Sequence, residues 1–329
     1  MTARLVLPAP PPEGLQPMSL VRHLAGVADL VELCFASEME DGGFSAVREM
    51  RFLSRLGPLL PILLLLDTEK CIFTQGYVWV EEGRVIGNAN MQPIEHSPKT
   101  WAIANVGVHP QHRRRGIAHQ LMQAALDHIR AAGGDEAVLM VDDDNQSAVE
   151  LYARLGFTHT ATHTTWMRSG RRAIPAHEPT AYDVRLRAET EWADEYALAR
   201  EVRPEGLSWN RPLREAEFRP AWWRRAQRAL SGEAEERWAV TPVDSNHFIG
   251  SLAIATGLPE GDRLTILVHP MFRGSLERPL LVRGLRRLGH RPWNVRIEQP
   301  AHDEAASAVL RDLGFTASRT LRWMKKEIR

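Results

Sequence analysis

The period of the apolar positions changes repeatedly along the chain, and each change marks an element. Val27, Leu30, Val31 and Leu33 fall mostly on one face of a helical wheel, so Ala25 to Phe35 reads as a helix. Ser19 to Leu24, just before it, reads as a short strand. Gly76-Tyr-Val-Trp-Val and Arg84-Val-Ile-Gly-Asn-Ala flank Glu81-Glu82-Gly83, the pattern of a strand–turn–strand hairpin. Trp101 to Val108 predicts a further strand. Ile117, Leu121, Ala125 and Ile129 keep helical spacing until Gly133-Gly134, which stops the helix. Ala137 to Val141 is a β-rich run, and Asn145 or Ser147 can cap a helix that ends at Leu155-Gly156. Phe157 to Arg168 closes the series as a strand or hairpin. Strands alternating with helices in this way predict an α/β fold with a mixed sheet.

The series then recurs. Val108-His109-Pro110 returns as Val268-His269-Pro270, Leu155-Gly156-Phe157-Thr158 as Leu313-Gly314-Phe315-Thr316, and Trp166-Met167 as Trp323-Met324. A repeat close to 160 residues long is a duplicated domain rather than a solenoid unit. The expected organisation is an N-terminal extension over 1–17, a first domain over 18–170, a linker over 171–181 and a second domain over 182–329. Periodicity lapses in the linker, which is rich in Arg, Pro and Gly.

Composition narrows the function classes. Lys plus Arg and Asp plus Glu are both 41, so a basic nucleic-acid binder is not expected. That neutrality hides 14 basic against 19 acidic residues through Gly170 and 27 against 22 after it, two halves of complementary charge. Cys34 and Cys71 form no C-x-x-C, which excludes a disulfide framework and a cysteine zinc site and fits a reducing cytoplasm. The segment Leu59 to Leu66 is apolar but contains Pro61 and falls far short of the roughly 20 residues of a membrane span. The first residues lack a signal-peptide core, so a cytoplasmic protein without membrane or nucleic-acid partners is expected.

Chemistry concentrates in Val106-Gly-Val-His-Pro-Gln-His-Arg-Arg-Arg-Gly-Ile-Ala118, where a strand runs through an arginine-rich loop into a helix. A helix start leaves backbone N–H groups unpaired and carries the positive end of the dipole. Small residues at Gly116 and Ala118 let a pyrophosphate approach those groups, and Arg113, Arg114 and Arg115 add counter-charge. The segment resembles the acyl-CoA signature of the GNAT acyltransferase superfamily, Arg/Gln-x-x-Gly-x-Gly/Ala, at Arg113, Gly116 and Ala118. The family's second motif is matched about 30 residues on, by Asn145-Gln-Ser-Ala148-Val-Glu-Leu151-Tyr152-Ala-Arg-Leu-Gly156-Phe157.

The resemblance implies two tandem GNAT-like domains and an N-acetyltransferase that moves an acetyl group from acetyl-CoA to a primary amine, with no metal. It also implies that Val106, Gly107 and Val108 line a parted strand pair holding the pantetheine. Arg113, Arg114, Arg115, Gly116, Ile117 and Ala118 would hold the pyrophosphate, Asn145 would position CoA, and Tyr152 would serve as general acid. The chain departs from the family on the strand Trp101 to Val108, where Ala102, Ala104 and Asn105 stand in place of a Glu or His base. Glu38, Glu40, Asp41, Glu95 and His96 are the remaining candidates for that base. An acyl-CoA-binding sensor without turnover, or an aminoacyl-tRNA-dependent transferase, are the alternatives.

The second copy keeps Leu313, Gly314 and Phe315 but loses the chemistry. Alignment puts Leu276 at the place of Gly116, Arg278 at Ala118, Asp303 at Asn145 and Leu310 at Tyr152. A degenerate second domain is therefore expected, with the acceptor unidentified and the chain a monomer or homodimer. Three other clusters are expected to be structural. Asp142 to Asp144 read as helix-capping acids, His159 and His163 do not converge for zinc, and Trp222-Trp223 with Leu230 read as a packed amphipathic face.

Overall fold

The computed structural model describes residues 13–36, 41–56, 75–94, 97–177, 180–203, 213–242, 247–257, 261–289 and 291–328. Cys71 and the Leu59 to Leu66 run lie outside these. The first repeat contains β1 (Gly14–Pro17), α1 (Leu20–Phe35), α2 (Asp41–Ser54), β2 (Gly76–Glu81), β3 (Arg84–Ile94) and β4 (Ser97–Val108). It continues with α3 (Ile117–Ala131), β5 (Glu136–Asp142), α4 (Gln146–Arg154) and β6 (Thr158–Arg168). The second repeat contains β7 (Tyr182–Leu186), α5 (Trp192–Val202), α6 (Glu215–Phe218), α7 (Trp222–Leu230), β8 (Ala234–Pro242) and β9 (Gly250–Thr256). It ends with β10 (Asp262–Val268), α8 (Glu277–Leu288), β11 (Val295–Pro300), α9 (Glu304–Asp312) and β12 (Thr316–Glu327). Strands β1 to β4 pair antiparallel in order, and β4 pairs parallel with β5; β7 to β10 and β11 repeat that scheme. The expected mixed α/β architecture is what the chain adopts.

Contacts divide the chain into two units that do not follow the repeats. One comprises 1–140, 147–158 and 324–329; the other comprises 141–146 and 159–323. In the first, the neighbour of β5 is the end of β12, where Ile328 N–H donates to Asp135 O (2.8 Å) and Lys325 Nζ lies 3.4 Å from Glu136 Oε1. In the second, β6 forms one straight antiparallel pair with β11, from His163 opposite Pro300 to Arg168 opposite Val295. Each repeat thus supplies its last strand to the unit built mainly from the other.

Several expectations change. Residues 20–24 are helical, because Ser19 adopts the N-cap position with its N–H donating to His23 Nδ1 (3.0 Å). The strand is Gly14–Pro17 instead, and the buried face of α1 starts at His23 and Leu24, leaving Leu33 exposed. Asp142 and Asp143 do not act as caps: Arg319 donates to both carboxylate oxygens of Asp142 (2.7 Å each) and Arg322 to Asp143. Trp222 and Leu230 are 80% and 90% exposed, so the face of α7 that was expected to pack does not. Among the described residues no helix is long and apolar enough to cross a membrane.

Strand β4 carries one irregularity with consequences. Asn88 of β3 faces Gly107, while Asn90 faces Ala104, so β4 holds one residue more than β3 between these pairs. The excess is taken up at Asn105, whose φ is +53°. Three amides secure the bulge. Asn88 Nδ2 donates to Asn105 O (2.9 Å) and Asn90 Oδ1 (2.7 Å), and Asn105 Nδ2 donates to Asn90 Oδ1 (3.3 Å). Asn and Gly tolerate this left-handed conformation far better than branched residues. Asn105→Val should lower unfolding stability by about 1–3 kcal/mol, whereas Asn105→Gly should cost less than about 1 kcal/mol. Denaturant midpoints of the two variants measure the difference.

Candidate functional site

Below the bulge the two parallel strands of the first unit separate. Among the described residues β4 pairs with β5 only at Thr100, Trp101 and Ala102. Val106, Gly107 and Val108 continue along β3, with Gly107 opposite Asn88 and Val108 opposite Gly87. Their β5 side is not used in the sheet, which leaves an extended backbone edge able to receive another extended chain. Cys34 Sγ approaches Val108 O (3.5 Å), tying the end of α1 to the same strand.

The loop that follows is built for its turn. His109 Nδ1 accepts from Gln111 N–H (3.3 Å), closing a single 3₁₀ turn over Pro110–His112. Arg114 (φ +64°) and Gly116 (φ +77°) are both left-handed, and Gly116 is the N-cap of α3. Gln120 is the first residue of α3 to donate back, to Gly116 O (3.1 Å). The amides of Ile117, Ala118 and His119 therefore have no acceptor within the helix. A Cβ at Gly116 would have no atom within 4 Å, so the approach to those amides is open. Gly87 secures the other side, because a Cβ there would sit 2.9 Å from Ile117 Cγ2 and push α3 off the sheet.

The three arginines have different situations. Arg113 Nε donates to Val108 O (3.2 Å) and so binds the loop to the strand end. Arg115 donates to both Glu81 oxygens (2.8 and 3.2 Å), with His112 Nδ1 2.7 Å from the same guanidinium. Arg114 is exposed, and among the described residues its side chain contacts no acidic group. Ile117 is buried in the core against β3, leaving only its amide available to a ligand. Ala118 is half-buried beside it.

Tyr152 lies on α4, 6% exposed and edge-on to Phe157 at 6.0 Å between ring centres. Burial pushes its phenol above the ordinary value, and among the described residues its hydroxyl has no hydrogen-bond partner. Asn145 precedes α4, its N–H donating to Asp142 O (3.0 Å), and groups with the second unit. Of the expected bases, Glu38, Glu40, Glu95 and His96 lie outside the described residues, and of Asp41 only its place at the start of α2 is described. Among the described residues no three or more His, Cys, Asp or Glu gather to hold a metal.

Sequence reasoning missed Asn88, Asn90 and Glu81. The first two had a visible signal, two amides on one face of a strand whose other residues are apolar and buried. Glu81 gave none, since its partner is 34 residues away. In the second unit Leu276 is fully buried at the N-cap of α8, Arg278 pairs with Asp312, Asp303 caps Ala306 N–H (3.0 Å), and Leu310 is core.

The hydrogen bonds from Arg115 hold the Glu81 carboxyl below the usual carboxylate range. Its pair is therefore complete above the unfolded carboxylate pKa of about 4.3 and is lost as pH falls through the lowered folded value. In an NMR titration, Arg115→Gln should move the Glu81 midpoint upward. An unmoved midpoint would exclude Arg115 as its partner in solution.

Residues 44–157 match the Acetyltransferase (GNAT) family. The mycothiol acetyltransferase of Corynebacterium glutamicum (strain R) is 32% identical over 105 residues, which are 32% of this chain and 30% of that protein. The probable N-acetyltransferase family 8 member 5 of Mus musculus is 30% identical over 102 residues, 30% of this chain and 45% of that protein. The chain thus aligns with less than half the length of these relatives. A GCN5-related N-acetyltransferase structure from Sphaerobacter thermophilus covers 97% of both chains with TM-score 0.64 at 18% identity. A tandem GNAT protein from the clavulanic acid biosynthesis pathway covers 96% of this chain and 98% of its own, with TM-score 0.54 at 17% identity. Likeness at that identity speaks for the fold, and it spans both repeats, while the family match rests on the repeat that carries the open glycine turn and the parted strands. The chain is a tandem-domain member of the GNAT superfamily.

Proposed function

We propose that the first unit is an N-acetyltransferase acting from acetyl-CoA onto the primary amine of a small molecule or polypeptide. The observation that carries this reading is the pairing of an unfilled strand edge at Val106 to Val108 with an unobstructed helix start at Gly116. Pantetheine carries amides that can continue the sheet along that edge, and its pyrophosphate suits the amides of Ile117, Ala118 and His119. Arg114 is the arginine available for counter-charge, because Arg113 and Arg115 are engaged with Val108 and Glu81.

Chemistry needs a neutral amine, a proton for the departing thiolate and an outlet for the amine's surplus proton. The amine nitrogen bonds to the carbonyl carbon, the C–S bond breaks, and Tyr152 gives its phenolic proton to sulfur. Its phenolate is costly in a buried setting, so it recovers a proton from the newly acylated nitrogen, directly or through water. One residue then both gives and receives, which suits a β4 strand carrying Ala102, Ala104 and Asn105 and no acid–base side chain.

Calorimetric titration should give one acetyl-CoA site per chain. Gly116→Glu should abolish it by placing a carboxylate where phosphate must enter, and unchanged affinity would sink the loop assignment. Tyr152→Phe should retain binding and lower kcat about 10-fold to 10⁴-fold. With its pKa raised above about 10, Tyr152 should cause no alkaline fall in kcat below that pH. Acetyl-CoA binding without turnover on any amine tested would favour a sensor instead.

A further inference from the structure

The second unit repeats the parted strands. Pairing of β10 with β11 stops after Asp262, Arg263 and Leu264, while β9 and β10 stay in regular register without a bulge. A cavity of about 750 Å³ opens there, entirely within the second unit. Leu264, Ile266, Val268 and Trp323 give it apolar walls, and His163 is stacked flat on Trp323 at 4.3 Å. Glu277, the first residue of α8, lines it at the sequence position that Ile117 occupies in the first unit.

Glu277 is 1% exposed, and among the described residues neither carboxylate oxygen has a hydrogen-bond partner. Arg203 and Arg273 also line the cavity, yet no ion pair joins either to Glu277. A carboxylate removed from water and left unopposed is strongly unfavourable, unlike the paired Glu195 of the same unit, which binds Arg187 (2.5 Å) and Arg237 (3.1 Å). Such a group in a cavity wall implies a cationic occupant. Acyl-CoA does not fit: Leu276 fills the place of Gly116, and Glu277 would repel a pyrophosphate. A metal ion does not fit either, since no cluster of ligands gathers and the remaining walls are largely apolar.

We propose that this cleft binds a small organic molecule carrying a protonated amine, with Glu277 as its counter-ion and the Leu264, Ile266 and Trp323 surfaces against its apolar part. The site is separate from acetyl transfer in the first unit and does not depend on it.

The test uses the full chain and three probes, phenethylamine, glucosamine and isoleucinamide, each beside its N-acetyl form. Calorimetry counts sites, and the Trp323 indole N–H resonance locates them. At least one amine should bind once per chain, shift the Trp323 resonance, and bind at least 10-fold more tightly than its uncharged N-acetyl form. Glu277→Gln should weaken that amine at least 10-fold while leaving Tm unchanged or higher. The proposal is overturned if no amine moves Trp323, or if Glu277→Gln binds the amine as well as the parent chain. A lower Tm for Glu277→Gln would also overturn it, by showing that the protein itself satisfies the carboxylate. So would a Trp323 shift caused by acetyl-CoA in the Gly116→Glu chain, since the cleft would then be a second CoA site.

Discussion

Parallel strands that begin paired and then part are the constraint on which the first unit's chemistry rests. Three residues of β4, Thr100 to Ala102, hold it to β5, and the strand then turns its edge away. Asn105 is central, because a left-handed residue inside a strand redirects every residue after it. The amides of Asn88 and Asn90 make that conformation persist, at the expense of placing polar groups in an otherwise apolar strand. Gly87 and Gly116 then fix where the helix begins relative to the edge.

The second unit shows what the same scaffold does without the bulge. Its strands part at the corresponding place, so the opening comes from topology and not from Asn105 alone. The sign of charge at the helix start decides what the opening can accept. A bare glycine turn offers amides to an anion, whereas Leu276 and Glu277 offer bulk and a negative charge. Divergence of the repeats is thus concentrated in a few residues at one helix terminus, while the Leu-Gly-Phe segment and the core behind it are kept.

Much of this was legible in the chain. The 3.6-residue period of α3, the hairpin of β2 and β3, and the glycine stop at Gly156 are local signals, and each produced the expected element. The loop around Gly116 was legible because turn and helix-start chemistry is written in adjacent residues. Arg115 was assigned to phosphate, whereas its fork is occupied by Glu81, a partner that only the fold brings near. The bulge escaped for a related reason: Asn105 looks ordinary in an alternating pattern, and its φ follows from a register set across β3. The start of α1 was misplaced because its first turn is held by His23 bonding back to Ser19, a cap that hydrophobic periodicity does not report.

The crossed ownership of the last strands bears on how such a protein can change over time. A gene cut at the segment 171–181 would yield a first half without residues 324–329, and β5 would be left with a bare edge. The second half would likewise lose the partner of β11. Deletion of the decayed copy is therefore closed to selection even if its cleft bound nothing, because the copy's final strand is a part of the other unit's sheet. Duplication followed by exchange works as a ratchet. The second repeat is free to alter its side chains at the helix start, but it is not free to leave.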